Sequence, residues 1–269
     1  MSHAIIIPIY CENRNTINLC NELQNFGAEH IVVVNDGLNP KSEYFNELTS
    51  IGCHLVHLKN NNGKGASLKA GIKYAHDNLY NITGYITCDA DGQHTANDVM
   101  KISRMLDLRN GSLILGKRDY KKSKMPINIR IGNRLSSAYF KVITGKSCKD
   151  TQTGLRGIPA FLYDTVMKTK GSRFDFEMNF LTKCADMRVP FYFVNIIADC
   201  SNCSSNFRLI KDTYLIYRTP LRFATASIGC TIIDLVLFTI FAYILPSHMF
   251  FNIMLATLMA RVVSGGINF

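Results

Sequence analysis

At 269 residues the chain is longer than a typical single domain and too short for two large ones, so one larger domain with a smaller appendage is expected. A formal charge of +10 suits nucleic acid, anionic lipid or phosphorylated small molecules. The basic residues are spread over Lys117-Arg118, Lys121-Lys122, Arg130, Arg134, Arg218 and Arg222, the last two beside an apolar stretch, which argues against a nucleic-acid groove and for phosphate ligands at a membrane surface.

The start, Met-Ser-His-Ala-Ile, has no basic region followed by an apolar run and a cleavage site, so no cleavable signal peptide is expected and the bulk of the chain is assigned to the reducing cytoplasm. Cys200-Ser-Asn-Cys203 has no second pair at zinc spacing, and the cysteines read as unpaired thiols. Short β-branched runs at Ala4–Ile7, Ile31–Val34, His54–His57 and Tyr85–Cys88 read as strands. Helical spacing separates them at Thr16–Phe26, Lys41–Ser50 and Ala66–Asn78, and continues at Ala96–Leu108 after the fourth strand. This βαβα order predicts an α/β fold with a mostly parallel sheet and a ligand at the carboxyl ends of its strands. A strand at Ser112–Gly116, a long amphipathic helix over Ile127–Thr144 and a late strand at Phe191–Ile197 extend the pattern. The long helix carries Ile127, Ile131, Leu135, Ala138 and Val142 on one face and Arg130, Asn133 and Arg134 on the other.

Near residue 220 the composition changes. Phe223–Leu245 holds one charge, Asp234, over a length that can span a bilayer, and a second apolar run from Met249 to Phe269 carries Arg261. Two membrane spans are expected, with Asp234 and Arg261 paired across the hairpin. Arg218 and Arg222 flank the first span and the connecting loop has no Lys or Arg, which keeps the preceding domain cytoplasmic. The predicted organisation is a catalytic domain over 1–205, an amphipathic juxtamembrane segment over 206–222 and a transmembrane hairpin over 223–269.

The chemistry gathers at the predicted strand ends. Tyr85–Cys88 runs into Asp89-Ala-Asp-Gly-Gln-His94; in extended backbone Asp89 and Asp91 project to one side and suit Mg²⁺ or Mn²⁺ shared with phosphates. The second strand ends in Asn35-Asp-Gly37, with Asp36 placed to accept hydrogen bonds from a nucleobase or ribose, and the first in Pro8-Ile-Tyr-Cys-Glu12, which brings Tyr10 and Glu12 to the same edge. Each Asp-Gly is also an ordinary turn signal; three polar strand ends together point to a ligand. Asn61-Asn-Gly-Lys-Gly-Ala66 allows close backbone approach to a phosphate that Lys64 can meet. Neither the Walker A spacing nor G-x-G-x-x-G is present, which argues against an NTPase or a dinucleotide dehydrogenase.

As an ordered set, Pro8-x-Tyr-x-Glu12, Asn35-Asp-Gly37, Asn62-Gly-Lys-Gly65, Asp89-Ala-Asp-Gly-Gln-His94, Gly116-Lys-Arg118 and Asp150-Thr-Gln-Thr-Gly-Leu-Arg156 resemble the family 2 glycosyltransferases of GT-A fold, in particular polyprenyl-phosphate glycosyltransferases related to dolichyl-phosphate mannose synthase. The apolar end from Leu221-Arg-Phe to Gly-Gly-Ile-Asn-Phe269 looks like the first half of a GtrA-type membrane domain. The resemblance implies a nucleotide-sugar pocket lined by Pro8, Tyr10, Glu12, Asp36, Lys64, Asp89 and Ala90, and a metal held by Asp89, Asp91 and Gln93. It implies a lipid phosphate held by Arg118, Arg130 and Arg134, with Asp91, Arg118 and Asp150 as the catalytic set. Where the family usually has Asp-Asp-Gly-Ser, this chain has Asn35-Asp36-Gly37-Leu38, leaving one carboxylate. Asp150 and Glu177 are candidates to orient the arginines, to act as a base, or to form structural ion pairs.

The implied activity is transfer of a hexose from UDP-glucose, or from GDP-mannose, to a polyprenyl phosphate such as undecaprenyl phosphate by a metal-dependent inverting displacement. The enzyme would be a multi-pass membrane protein, with room for a homo-oligomer and no role for nucleic acid. The rival readings are a sugar-nucleotide pyrophosphorylase and a non-catalytic membrane scaffold built on a degenerate transferase domain.

Overall fold

The computed structural model describes residues 2–119 and 127–197, together with 229, 231–236, 238–240, 243 and 257. Residues 1–207 form one compact unit and 208–269 a second.

In the first unit, strands β1 (Ser2–Ile9), β2 (His30–Asp36), β3 (His54–Leu58) and β4 (Ile82–Thr87) alternate with helices α1 (Arg14–Asn25), α2 (Glu43–Ser50), α3 (Lys64–Asn78) and α4 (Ala96–Leu108). Then follow β5 (Leu113–Arg118), α5 (Ile127–Thr144), β6 (Arg156–Pro159), a 3-10 turn, α6 (Tyr163–Lys168), α7 (Asp175–Asp186) and β7 (Phe191–Ile196). The strands lie in the order β3-β2-β1-β4-β6-β5-β7. Among the described strands only β6 runs antiparallel, between β4 and β5. Because it is reversed, its first residue, Arg156, lies at the edge where the parallel strands end, opposite Thr87 of β4.

Period-two alternation explains the layering. Ala4, Ile6, Val32 and Val34 face a core with α3, α5, α6 and α7, whereas Ile5, Ile7, Ile31 and Val33 face a core with α1, α2 and α4. The helix starts follow local chemistry: the side chains of Asn13, Ser42 and Thr95 accept hydrogen bonds from the first turns of α1, α2 and α4. Thus the expected α/β fold with a mostly parallel sheet is the observed one, with the reversed β6 as an addition.

The long helix departs from the ordinary amphipathic pattern. Ile127, Ile131, Leu135 and Val142 are all more than half exposed, while Asn133, Ser136 and Phe140 are buried. The polar inner face is satisfied by chemistry: Asn133 Oδ1 accepts from the Thr151 backbone N–H at 3.2 Å, and Gln152 Nε2 donates to Ser136 Oγ at 3.1 Å. The helix therefore packs through hydrogen bonds on the 149–152 segment and turns its aliphatic stripe outward.

Among the described residues no helix is long and apolar enough to cross a membrane. The expected juxtamembrane segment, the Cys200–Cys203 pair, Arg261 and most of both expected spans lie outside the described residues. In the second unit 231–236 and 238–240 are helical, with Ile232, Leu235 and Val236 exposed. Among the described residues Asp234 Oδ1 has no hydrogen-bond partner. Cys11, Cys20, Cys53, Cys88, Cys148 and Cys184 are free thiols, as expected.

Candidate active site

The carboxyl edge of the sheet collects the motifs in a fixed sequence. Asp36 ends β2, Tyr10 follows β1, Asp89 and Asp91 follow β4, Arg156 opens β6 and Arg118 ends β5.

Asp36 is buried and is not free for a ligand in the way the sequence suggests. Its Oδ1 accepts from the Asn62 backbone N–H at 2.8 Å and its Oδ2 from that of Gly63 at 2.9 Å, so it anchors the loop leading into α3. Gly63 has φ +94° and Gly37 φ +92°, and a Cβ on Gly37 would lie 2.6 Å from the Asn61 nitrogen; both positions require glycine. Next to it, Asn35 closes its own turn through Leu38 and meets His57 Nδ1 at 2.9 Å. Asn35 thus has a structural task at the position where the resemblance implies a carboxylate.

The anchored loop delivers Lys64 into a buried ion cluster. Its Nζ lies 2.7 Å from Asp89 Oδ1 and 3.1 Å from Glu177 Oε2. Burial opposes the ammonium charge, but Asp89 and Glu177 outweigh it and hold the Lys64 pKa above the ordinary lysine value. Burial likewise disfavours ionised Asp89, yet Lys64 and His94 hold its carboxyl well below the usual range. His94 is buried, with Nε2 3.6 Å from Asp89 Oδ2 and neither ring nitrogen in a hydrogen bond.

Asp91 sits in the opposite electrostatic setting. Burial and the like charge of Asp89 raise its pKa, against partial relief from the Gln93 backbone and side chain. The Gln93 backbone N–H donates to Oδ1 at 3.1 Å and its Nε2 to Oδ2. Among the described residues no Lys or Arg forms a salt bridge with Asp91. A half-buried carboxylate without a cation, beside an amide whose oxygen replaces its nitrogen on a half-turn, fits a hard divalent ion that completes its shell with phosphate and water. No group of three or more His, Cys, Asp or Glu side chains among the described residues is placed to hold a metal by itself. Asp89, tied to Lys64, is the less available of the two expected carboxylate ligands.

The motif backbone is held from below. Thr16 Oγ1 donates to Ala90 O at 3.2 Å and Asn15 Nδ2 to Asp91 O at 3.4 Å. Tyr10 is 38% exposed and its phenol pKa is raised, first by partial burial, then by Cys11 and by the charges of Asp91 and Asp89. Glu12 is exposed and Pro8 half-buried within β1. The carboxylate of Asp89 lies so close to Gly154 that a Cβ there would overlap it. Gly154→Ala is therefore expected to displace Asp89 from Lys64, cost about 1–3 kcal/mol of stability and weaken nucleoside diphosphate binding; thermal unfolding and calorimetric titration check both effects.

On the β5 side, Arg118 and Asp150 form a buried bidentate pair, Nε to Oδ2 at 2.7 Å and Nη2 to Oδ1 at 2.8 Å. The Arg118 backbone N–H also donates to Asp150 Oδ2, at 3.2 Å. Arg130 is half-buried and Arg134 exposed on α5, one turn apart. The structure thus brings together Tyr10, Lys64, Asp89, Asp91 and Gln93, sets Arg118 and Asp150 apart as a second pair, and gives Asp36 a loop-anchoring contact. Asn15 and Thr16 are not singled out in the sequence, His94 and Gly154 stand in the quoted motifs without a role, and of the roles open to Glu177 the structure shows an ion pair, with Lys64. The local signals are the motifs themselves, Asp89–His94 for His94 and Asp150–Arg156 for Gly154.

A profile of the Glycosyl transferase family 2 matches residues 4–164, more than half of the chain. An uncharacterised Methanocaldococcus jannaschii protein is 32% identical over 188 residues, covering 66% of this chain and 73% of its own. UDP-N-acetylglucosamine–dolichyl-phosphate N-acetylglucosaminyltransferase of Methanococcus voltae is 29% identical over 172 residues, 56% of this chain and 67% of its own. Among solved structures, glucosyl-3-phosphoglycerate synthase of Mycobacterium tuberculosis with UDP superposes with a TM-score of 0.61 at 12% identity, covering 81% of this chain and 79% of that one. The same enzyme has been seen with Mn²⁺ and UDP together. At such identity the likeness concerns the GT-A-type fold alone, whereas the profile match decides membership: the chain is a glycosyltransferase and belongs to glycosyl transferase family 2.

Proposed function

We propose that this glycosyltransferase moves a hexose from a nucleotide-sugar donor, UDP-glucose before GDP-mannose, to a polyprenyl phosphate such as undecaprenyl phosphate at a cytoplasmic membrane face. The observation that carries the reading is the separation of two charged centres along one sheet edge. Lys64 meets Asp89 just past β4, with Asp91 two residues on, and the clamped Arg118 lies two strands away at β5.

In this reading Tyr10 and the Asp36-anchored loop hold the nucleotide, and Lys64 meets the diphosphate. Mg²⁺ or Mn²⁺, held by Asp91 with Gln93 and with Asp89 nearby, would offset the charge on the departing diphosphate. Asp150 fixes the Arg118 fork for an anionic acceptor, and Arg130 and Arg134 extend the basic surface on α5. A lipid phosphate is already an anionic nucleophile, so positioning and charge stabilisation supply most of the rate and no strong base is required. The dolichyl-phosphate acceptor in the name of the Methanococcus voltae relative supports the acceptor class.

The outward aliphatic stripe of α5 supports a membrane-surface setting, because Ile131 and Leu135 stand on the same helix as the two arginines. Ile131→Asp with Leu135→Asp is expected to lower flotation with anionic vesicles at least tenfold while leaving nucleoside diphosphate affinity unchanged. Undiminished flotation would remove α5 from the membrane contact. The function itself is tested by offering the purified chain a nucleotide sugar with polyprenyl phosphate or with the corresponding polyprenol. Glycolipid should form only from the phosphate, and transfer to neither would reject the acceptor assignment.

A further inference from the structure

Glu177 lies in the first turn of α7, and its side chain is 11% exposed. One carboxylate oxygen, Oε2, is 3.1 Å from Lys64 Nζ; the other, Oε1, is buried without a hydrogen-bond partner. Arg156 is the nearest further cation, but its Nη2 is 3.8 Å away. Three of its five N–H donors go to backbone carbonyls: Nε donates to Thr153 O at 2.9 Å, Nη1 to Glu177 O at 2.9 Å and Nη2 to Thr151 O at 3.2 Å, and at 3.8 Å Nη2 is too far to hydrogen-bond Oε1. The carboxylate is therefore held in place, flanked by positive charge, with one oxygen unsatisfied. A buried acceptor left in that state is costly unless something donates to it.

We propose that Glu177 reads the transferred sugar, with Oε1 accepting a hydrogen bond from one of its hydroxyl groups. The inference rests on the donor-acceptor reading above. Position along the sheet edge selects the ligand part. Asp36 and Tyr10 lie at β2 and β1, and Arg118 lies at β5; Glu177 touches Lys64, which touches Asp89 after β4, and Arg156, which opens β6. It stands between the nucleotide side and the acceptor side, where a group in transit must lie. Chemistry selects the same part: a carboxylate only accepts, a diphosphate has no proton to give, and a hexose carries several hydroxyls. Glu177 is thus a specificity-determining residue, and its second oxygen steadies Lys64.

The test compares calorimetric affinities of the full chain, with Mn²⁺ present, for a nucleotide sugar, the nucleoside diphosphate alone and donors lacking single sugar hydroxyls. Glu177→Ala should weaken the nucleotide sugar about 10- to 100-fold and the nucleoside diphosphate by much less. Glu177→Gln, which keeps one acceptor oxygen, should recover part of the loss. One deoxy donor should bind wild type as weakly as the parent donor binds Glu177→Ala, and lose nothing further in the variant. Equal weakening of nucleotide sugar and nucleoside diphosphate would overturn the assignment, leaving Glu177 as a support for Lys64 only; so would no change in either. Wild type binding neither ligand would sink the proposed function together with this inference, whereas the other two outcomes leave the function standing.

Discussion

Asp91→Asn is expected to lower glycosyl transfer about a hundred- to a thousandfold without loss of thermal stability. The two halves of this prediction come from the same environment. Burial and the Asp89 charge raise the Asp91 pKa, so in the folded protein without a cation the ionised form is disfavoured. A carboxyl whose folded pKa lies above its unfolded value opposes folding at neutral pH, and that penalty vanishes as pH falls below the unfolded pKa. Asn keeps the side-chain shape and removes the charge, so the unfolding midpoint at pH 7 should hold or rise slightly. The same substitution deletes the carboxylate best placed for a divalent ion. Mn²⁺ with nucleoside diphosphate should raise the wild-type midpoint through preferential binding to the folded state and leave the variant unmoved. A variant that loses activity together with several degrees of stability would point to a structural role instead.

Asp150→Asn should behave in the reverse way, with stability failing first. Asp150 is fully buried, and its two oxygens take Arg118 Nε, Nη2 and backbone N–H. Removing one partner of a buried pair strands the other charge, at about 3–5 kcal/mol. For a unit of this size that lowers the unfolding midpoint by roughly 10 °C. Arg118→Lys should not be tolerated either, since a point ammonium cannot reproduce the two-pronged contact. If Asp150→Asn left the midpoint within a degree of wild type but abolished transfer, the pair would be catalytic and not a brace. The geometry favours the orienting and ion-pairing roles over that of a general base, because the carboxylate is already engaged on both oxygens.

The parallel part of the sheet was legible because its strands are short aliphatic runs separated by helices with clear spacing. In the later part β5, α5 and β7 were legible as well, but β6 and α7 were not. β6 is four residues, Arg-Gly-Ile-Pro, with a poor strand composition that only pairing on both sides sustains. α7 opens Asp-Phe-Glu-Met-Asn-Phe, where apolar residues alternate in a strand-like way before the helical period shows. Its absence from the sequence reading hid the Lys64–Glu177 contact, since nothing local links residue 64 to residue 177. The site itself was half legible. Asp89, Asp91 and Lys64 stand in recognisable motifs, but Gly154 matters only because Asp89 lies against it across the β4–β6 junction. The spacing of α5 gave its two faces but not which one packs: Asn133 and Ser136 find partners on the 151–152 segment, and that satisfaction lets the aliphatic face stay out.

The central claim, a metal-held sugar donor facing a lipid phosphate, is tested most directly by following radiolabelled sugar from a nucleotide sugar into the organic-extractable phase with polyprenyl phosphate present. The account predicts label in the lipid phase that requires Mg²⁺ or Mn²⁺, disappears with chelation and is nearly abolished in Asp91→Asn. Equal extraction from wild type and Asp91→Asn, or transfer undiminished by chelation, would contradict it.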